Sequence, residues 1–73
     1  MSAEHLGELI QKRRKDLAMT QADLAFASGV GVRFISELEN GKETCQIGKA
    51  FSVLASLGLR LTAHPKEESS GRG

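Results

Sequence analysis

The chain is short of cysteine, of net charge and of long apolar runs, and each shortage removes a class of protein. Its one cysteine, Cys45, cannot form an internal disulfide, and nothing pairs it at metal-ligand spacing. A reducing, cytoplasmic setting fits that usage. No apolar run is long enough for a membrane span or a secretory leader. The net charge is only +1, so whole-chain charge makes no case for a polyanionic partner. His5 and His64 stand alone near opposite ends, and no Ser/His/Asp constellation, phosphate loop or metal cluster can be traced. Neither an enzyme nor a metal or cofactor site is expected, and no internal repeat is visible.

What remains is a chain of 73 residues, 40% hydrophobic and 26% charged, which fits one small globular domain. A core of that size is marginal alone, and such domains often gain stability from a partner. Charge is uneven: Lys12, Arg13, Arg14 and Lys15 form a basic run, balanced later by Glu37, Glu39 and Glu43. A solvated helix face is the plain reading of such a run.

Hydrophobic spacing predicts a first helix over about Ala3–Leu17, with Leu6, Leu9, Ile10, Arg13 and Leu17 on one stripe. Thr20 then opens a second helix, and Asp23 three residues on completes a capping-box pattern. Leu24 and Ala25, with Ala27 or Ser28, face inward. Gly29 can take the left-handed conformation that ends a helix, and Val30 plugs the core. The third helix runs from about Val32 to Glu39, with Gly31 at its N-cap, Ile35 and Leu38 inward, and Asn40-Gly41 as its stop.

Thr44 reads as the cap of a fourth helix, whose buried stripe is Ile47, Ala50, Phe51, Leu54 and Leu57. Val53 lies off that stripe, so this helix is apolar over more than one face, and a dimer interface would account for it. Gly58 ends the helix. Beyond it Leu59, Leu61 and Ala63 alternate with Arg60, Thr62 and His64, the two-residue period of a strand. A lone strand leaves its backbone groups unpaired, and the domain offers no second one. The simplest partner is the same strand of a second chain about a two-fold axis, with a frayed extended tail as the alternative. Residues 64–73, polar and rich in glycine and serine, read as a disordered tail.

The pair of short helices from Thr20 to Lys42 has the layout of a helix-turn-helix DNA reader, although such pairs also occur in ordinary bundles. In a reader the second helix lies in the major groove and the first crosses the backbone above it. With Ile35 and Leu38 inward, Val32, Arg33, Ser36 and Glu37 are the candidate base contacts. Arg33 can grip guanine O6 and N7, Val32 can touch a thymine methyl, Ser36 can donate or accept, and Glu37 can accept from cytosine N4 or stand at the rim. Thr20, Gln21 and Gly31 at the helix starts, with Asn40 and Lys42 beyond the third helix, are the candidate phosphate contacts.

The segment Thr20–Lys42 closely resembles the phage repressor/Cro-type (Xre) helix-turn-helix family. It shares T-Q at the second helix start, L-A within it, the glycine turn, an Ile-Ser pair, and L-E-N-G-K at the third helix end. The match extends over about Leu6–Leu57. The resemblance implies a mainly α, four-helix, lambda-repressor-like domain over residues 1–63, with double-stranded DNA as partner. It also implies a structural ion pair between Arg14 and Glu39, which takes Arg14 out of the DNA contacts. Two positions depart from the family. Ala18 stands where a turn glycine is common, and Gly31 replaces the usual serine or threonine cap, removing a hydroxyl.

The end of the chain is similar to the HipB-type antitoxins, in the segments Phe34-Ile35-Ser36-Glu37-Leu38-Glu39 and Leu54-Ala55-Ser56-Leu57-Gly58-Leu59. That similarity implies a homodimer joined through a C-terminal strand, with Val53, Leu57, Leu59, Leu61 and Ala63 as dimerisation residues, and a HipA-like kinase toxin as a further partner. A stand-alone regulator, a restriction–modification controller, or a module that mainly holds a toxin are the alternatives.

Overall fold

Ser2 opens the first helix, its hydroxyl accepting the backbone N–H of His5 at 3.0 Å. The computed structural model describes residues 2–44 and 46–60, and over these it consists of four helices: α1 (Ala3–Asp16), α2 (Gln21–Ser28), α3 (Val32–Glu39) and α4 (Ile47–Ser56). Among the described residues there is no strand, and no helix long and apolar enough to cross a membrane. The strand expected over residues 59–63 falls largely outside them; its described part, Leu59 and Arg60, belongs to no regular element. The expected tail 64–73 lies wholly outside.

Helix α3 packs on both α1 and α2, and α4 packs on α2. The core between them is Ile10, Leu24, Ala25, Ile35, Leu38, Val53, Leu54 and Leu57, with Leu6, Met19, Val30, Phe34 and Leu59 packed at its edge. Two expected stripes are corrected. On α1 the buried residues are Gly7, Ile10 and Arg14, while Leu9 and Leu17 are exposed. Gly7 presents no side chain and lets the last turn of α3 approach, which rotates the buried face away from Leu9 and Leu17.

On α4 the buried set is Ala50, Val53, Leu54 and, at the cap, Leu57, whereas Ile47 is 53% and Phe51 50% exposed. The helix carries two overlapping apolar stripes, and packing on α2 selects the one through Val53. Val53 and Leu57, expected at a dimer contact, are therefore packed in the chain's own core. The Thr44 expectation is also corrected. Its hydroxyl accepts the Gln46 N–H at 2.9 Å, a local turn that competes with capping, and α4 starts later, after Gln46, without a side-chain cap.

Helix α2 has the full capping box: Thr20 Oγ1 accepts from the Asp23 N–H at 3.0 Å, and Asp23 Oδ2 accepts from the Thr20 N–H at 2.9 Å. The hydrogen bond from the Thr20 backbone N–H, and then the Thr20 hydroxyl, hold the Asp23 carboxyl below its usual range. Gly29 ends the helix at φ 71°, and the Val30 N–H returns to the Ala25 carbonyl at 3.0 Å.

The turn after α1 reaches the same left-handed region at Ala18, φ 58°, the one described non-glycine residue with positive φ. An L-residue is strained there by about 1–2 kcal/mol. Ala18→Gly is expected to raise stability by about 0.5–1 kcal/mol, the strain relief exceeding the extra chain entropy of glycine. A thermal melt checks it, and an unchanged or lower midpoint would contradict it.

Candidate nucleic-acid interface

The second helix of the pair is held by its inner face. Ile35 is fully buried, Leu38 nearly so, and Glu39 reaches under α2 to meet α1. Arg14 Nε donates to Glu39 Oε2 at 2.6 Å and Arg14 Nη2 donates to Oε1 at 3.1 Å, a two-pronged pair. The remaining prong, Nη1, donates to the Met19 carbonyl at 2.8 Å. Burial pushes the Glu39 carboxyl up, but the hydrogen bonds from Arg14 and Gln21 outweigh it and leave the carboxyl below its usual range. The Arg14 guanidinium is held above its usual value, first by its hydrogen bond to Glu39.

The basic run of α1 is thus divided among structural tasks. Arg14 serves Glu39, Arg13 Nε donates to the Leu57 carbonyl at 2.9 Å, and Lys12 pairs with Asp16 at 3.2 Å on the surface. Gln21 is drawn into the same scaffold, its amide donating to Glu39 Oε1 at 3.1 Å. That hydrogen bond had no signal in the sequence, where Gln21 reads as a phosphate contact.

The outer face of α3 carries the other candidates. Val32 is 46% exposed, the Arg33 side chain 90%, and Ser36 and Glu37 are half-buried. Glu37 does not stand alone. Its Oε2 accepts from Arg33 Nε at 3.1 Å and from Lys42 Nζ at 3.3 Å. These two bonds, Arg33 first, hold its carboxyl below the usual range. The Lys42 N–H also donates to the Glu37 carbonyl at 3.0 Å, which fixes the chain beyond Asn40-Gly41 against the end of α3. The Arg33–Glu37 spacing of four is legible in the sequence as a helical ion pair. The Lys42 contact is not, because it depends on the turn at Asn40-Gly41.

The two helix starts differ. Thr20 is exposed and its hydroxyl, already accepting from Asp23, retains a proton to donate. Gly31 is exposed and gives α3 no side-chain cap, so the first N–H groups of α3 face outward unanswered by a hydroxyl. Asn40 is exposed just beyond α3. Phe34 packs at the core edge with Lys49 Nζ 5.8 Å from its ring centre, at the outer limit of a cation–π contact.

An inner face locked by a buried ion pair and an outer face of exposed polar side chains, entered through a glycine turn, define a helix-turn-helix domain. The helix-turn-helix family profile matches residues 10–63. An uncharacterized HTH-type transcriptional regulator of Sinorhizobium fredii, y4mF, is 49% identical over 56 residues, which cover 77% of this chain and 74% of that protein. A solved structure described as "MDT Protein" superposes with a TM-score of 0.79 at 27% identity, covering 92% of this chain and 94% of that one. The chain belongs to the Xre-type helix-turn-helix family.

Proposed function

We propose that the chain is a DNA-binding transcriptional regulator that represses from a palindromic operator as a homodimer in the cytoplasm. The observation that carries this is the division of α3, with Ile35, Leu38 and Glu39 locked inside while Val32 and Arg33 are exposed and Ser36 is half-exposed beside them. In this reading Arg33 reads guanine, Val32 meets a thymine methyl, and Ser36 and Glu37 complete the base contacts. Thr20, Gly31, Asn40 and Lys42 contact phosphates, while Gln21 contributes the amide end of α2 rather than a free side chain.

The apolar residues left over on α4 and just beyond it support the dimer. Phe51 and Leu59, with Leu54, Ala55 and Arg60, line a hollow of about 230 Å³ at the end of the described residues. A dimer would cover it and bring Leu59, Leu61 and Ala63 into the contact. Two recognition helices would then enter major grooves one turn apart, ~34 Å.

Anisotropy titration across salt tests the reading. Arg33→Ala is expected to lose about 1–3 kcal/mol on the preferred sequence and little on random duplex. Lys42→Ala is expected to weaken all sequences alike and to flatten the salt slope by less than one full phosphate contact, because Glu37 shares the ammonium. Binding without salt dependence, or equal on preferred and random duplex, would sink the proposal. For the dimer, Leu61→Pro is expected to sediment as a monomer at concentrations where the parent is dimeric, and a variant that remains dimeric removes that segment from the interface.

The similarity to HipB-type antitoxins extends the reading to a HipA-like kinase partner. Phe26 on α2 is 91% exposed, an aromatic that neither the core nor the outer face of α3 uses, and it favours a protein-binding surface. A kinase-like protein encoded beside this chain and co-purifying with it is the expected result; purification from its own cells with no such companion would count against it.

A further inference from the structure

We propose that Glu37 is a specificity-determining residue, a carboxylate latch that aims Arg33 at base edges and withholds Lys42 from sequence-independent phosphate contact. The inference rests on the DNA-reading role argued above. One oxygen, Glu37 Oε2, accepts from both Arg33 Nε (3.1 Å) and Lys42 Nζ (3.3 Å). The two cations are otherwise the kind that bind any phosphate, with side chains 90% and 63% exposed.

The latch affects the two partners differently. Arg33 is held through Nε, which leaves the two terminal nitrogens of its guanidinium fork free for guanine O6 and N7. A matched base pair can therefore be gripped without breaking the contact, and the carboxylate fixes the fork instead of opposing it. Lys42 has only its ammonium to offer. To reach a phosphate it must leave Glu37 or share it, while the Glu37 charge itself repels the backbone. The backbone bond from the Lys42 N–H to the Glu37 carbonyl, 3.0 Å, keeps the lysine beside its competitor. Random duplex thus gains less than the two exposed cations would otherwise give it, and a matched site loses little.

The test uses four proteins: the parent chain, Glu37→Gln, Lys42→Gln and the double variant. Each is titrated by anisotropy across salt against a duplex recovered from a random pool by repeated selection with the parent, and against the unselected pool. Glu37→Gln is isosteric and surface-placed, and an unchanged melt confirms that it folds. It is expected to bind the unselected pool roughly three- to tenfold more tightly, the scale of two exposed ion pairs released. Its salt slope on the pool is expected to steepen by up to about 0.9, as the Lys42 phosphate contact that Glu37 had shared becomes a full one. The selected duplex is expected to gain nothing or to weaken.

In the Lys42→Gln background the gain on the pool from Glu37→Gln is expected to shrink. An unchanged affinity of Glu37→Gln for the pool overturns the proposal. So does a gain of the same size with Lys42 absent, since that is a bare change of net charge. Failure of the parent to prefer any selected duplex is a different result: it removes the DNA-reading role, and this inference with it.

Discussion

Glu39→Ala is expected to destabilise the domain by about 3–5 kcal/mol, because it strands a buried charge. Glu39 accepts two hydrogen bonds from Arg14 and one from Gln21, and only the Met19 carbonyl would remain to answer the guanidinium. Arg14 and Glu39 are 8% exposed each, so water cannot replace the lost partner. In a domain of this size 1 kcal/mol moves the melting midpoint by about 4–8 °C, so a fall of more than about 10 °C is expected. Arg14→Met with Glu39→Leu should recover most of it, since a well-packed apolar pair can equal a buried ion pair. A single-variant midpoint within a few degrees of the parent would show that the pair carries little of the fold.

The same pair sets a direction for pH. The Glu39 carboxyl lies below its ordinary value of 4.5 in the folded chain, so folding favours the ionised form. Its contribution is complete above that ordinary value and is lost as pH falls through the lower, folded one. Glu37 and Asp23 are shifted the same way and add to the effect. Glu39→Gln is expected to flatten the acid limb of a stability–pH profile measured by urea unfolding. A variant whose acid limb matches the parent would assign that limb to other carboxyls.

Gly7→Ala is the second large effect, expected to cost about 3 kcal/mol net although alanine is the better helix former by about 1 kcal/mol. A Cβ at Gly7 would collide with the Leu38 carbonyl oxygen and stand 2.7 Å from that of Glu39. Both are backbone atoms of the last turn of α3, which no rotamer change can move aside. The helices would have to separate, opening the core and the Arg14–Glu39 pair together. Gly48→Ala is the contrasting control. Nothing lies within 4 Å of a Cβ there, so that change is expected to stabilise by about 0.5–1 kcal/mol. Equal outcomes at the two glycines in thermal melts would refute the steric account.

The stretch from Thr20 to Asn40 was legible because its signals are local. A capping box, a left-handed glycine and an Asn-Gly stop each act within four residues, and the boundaries of α2 and α3 follow from them. The buried faces of α1 and α4 were not legible in the same way. Gly7 carries no hydropathy signal, and its burial follows from what α3 brings against it. On α4 two stripes satisfied the same period, and only the packing on α2 decides for Val53 over Phe51. For the interface, helix phase alone placed Val32, Arg33 and Ser36 on the outside. What escaped was the three-way contact at Glu37 and the drawing of Gln21 toward Glu39, both of which depend on side chains meeting across a turn or between helices.

The two-faced build of α3 has a consequence for how such a chain can diverge. Ile35, Leu38 and Glu39 are bound to the fold, whereas Val32 and Arg33 are exposed and Ser36 is half-buried. Substitutions at exposed positions usually change stability by no more than about 0.5 kcal/mol, so Val32 and Arg33 can be exchanged with little effect on folding. Under the proposed DNA-reading role, target preference is thereby a nearly free variable, and descendants of one scaffold can acquire new addresses without first being rescued from instability. Glu37 is the exception: a change at Arg33 alters the partner it holds, so those two positions are constrained to drift together.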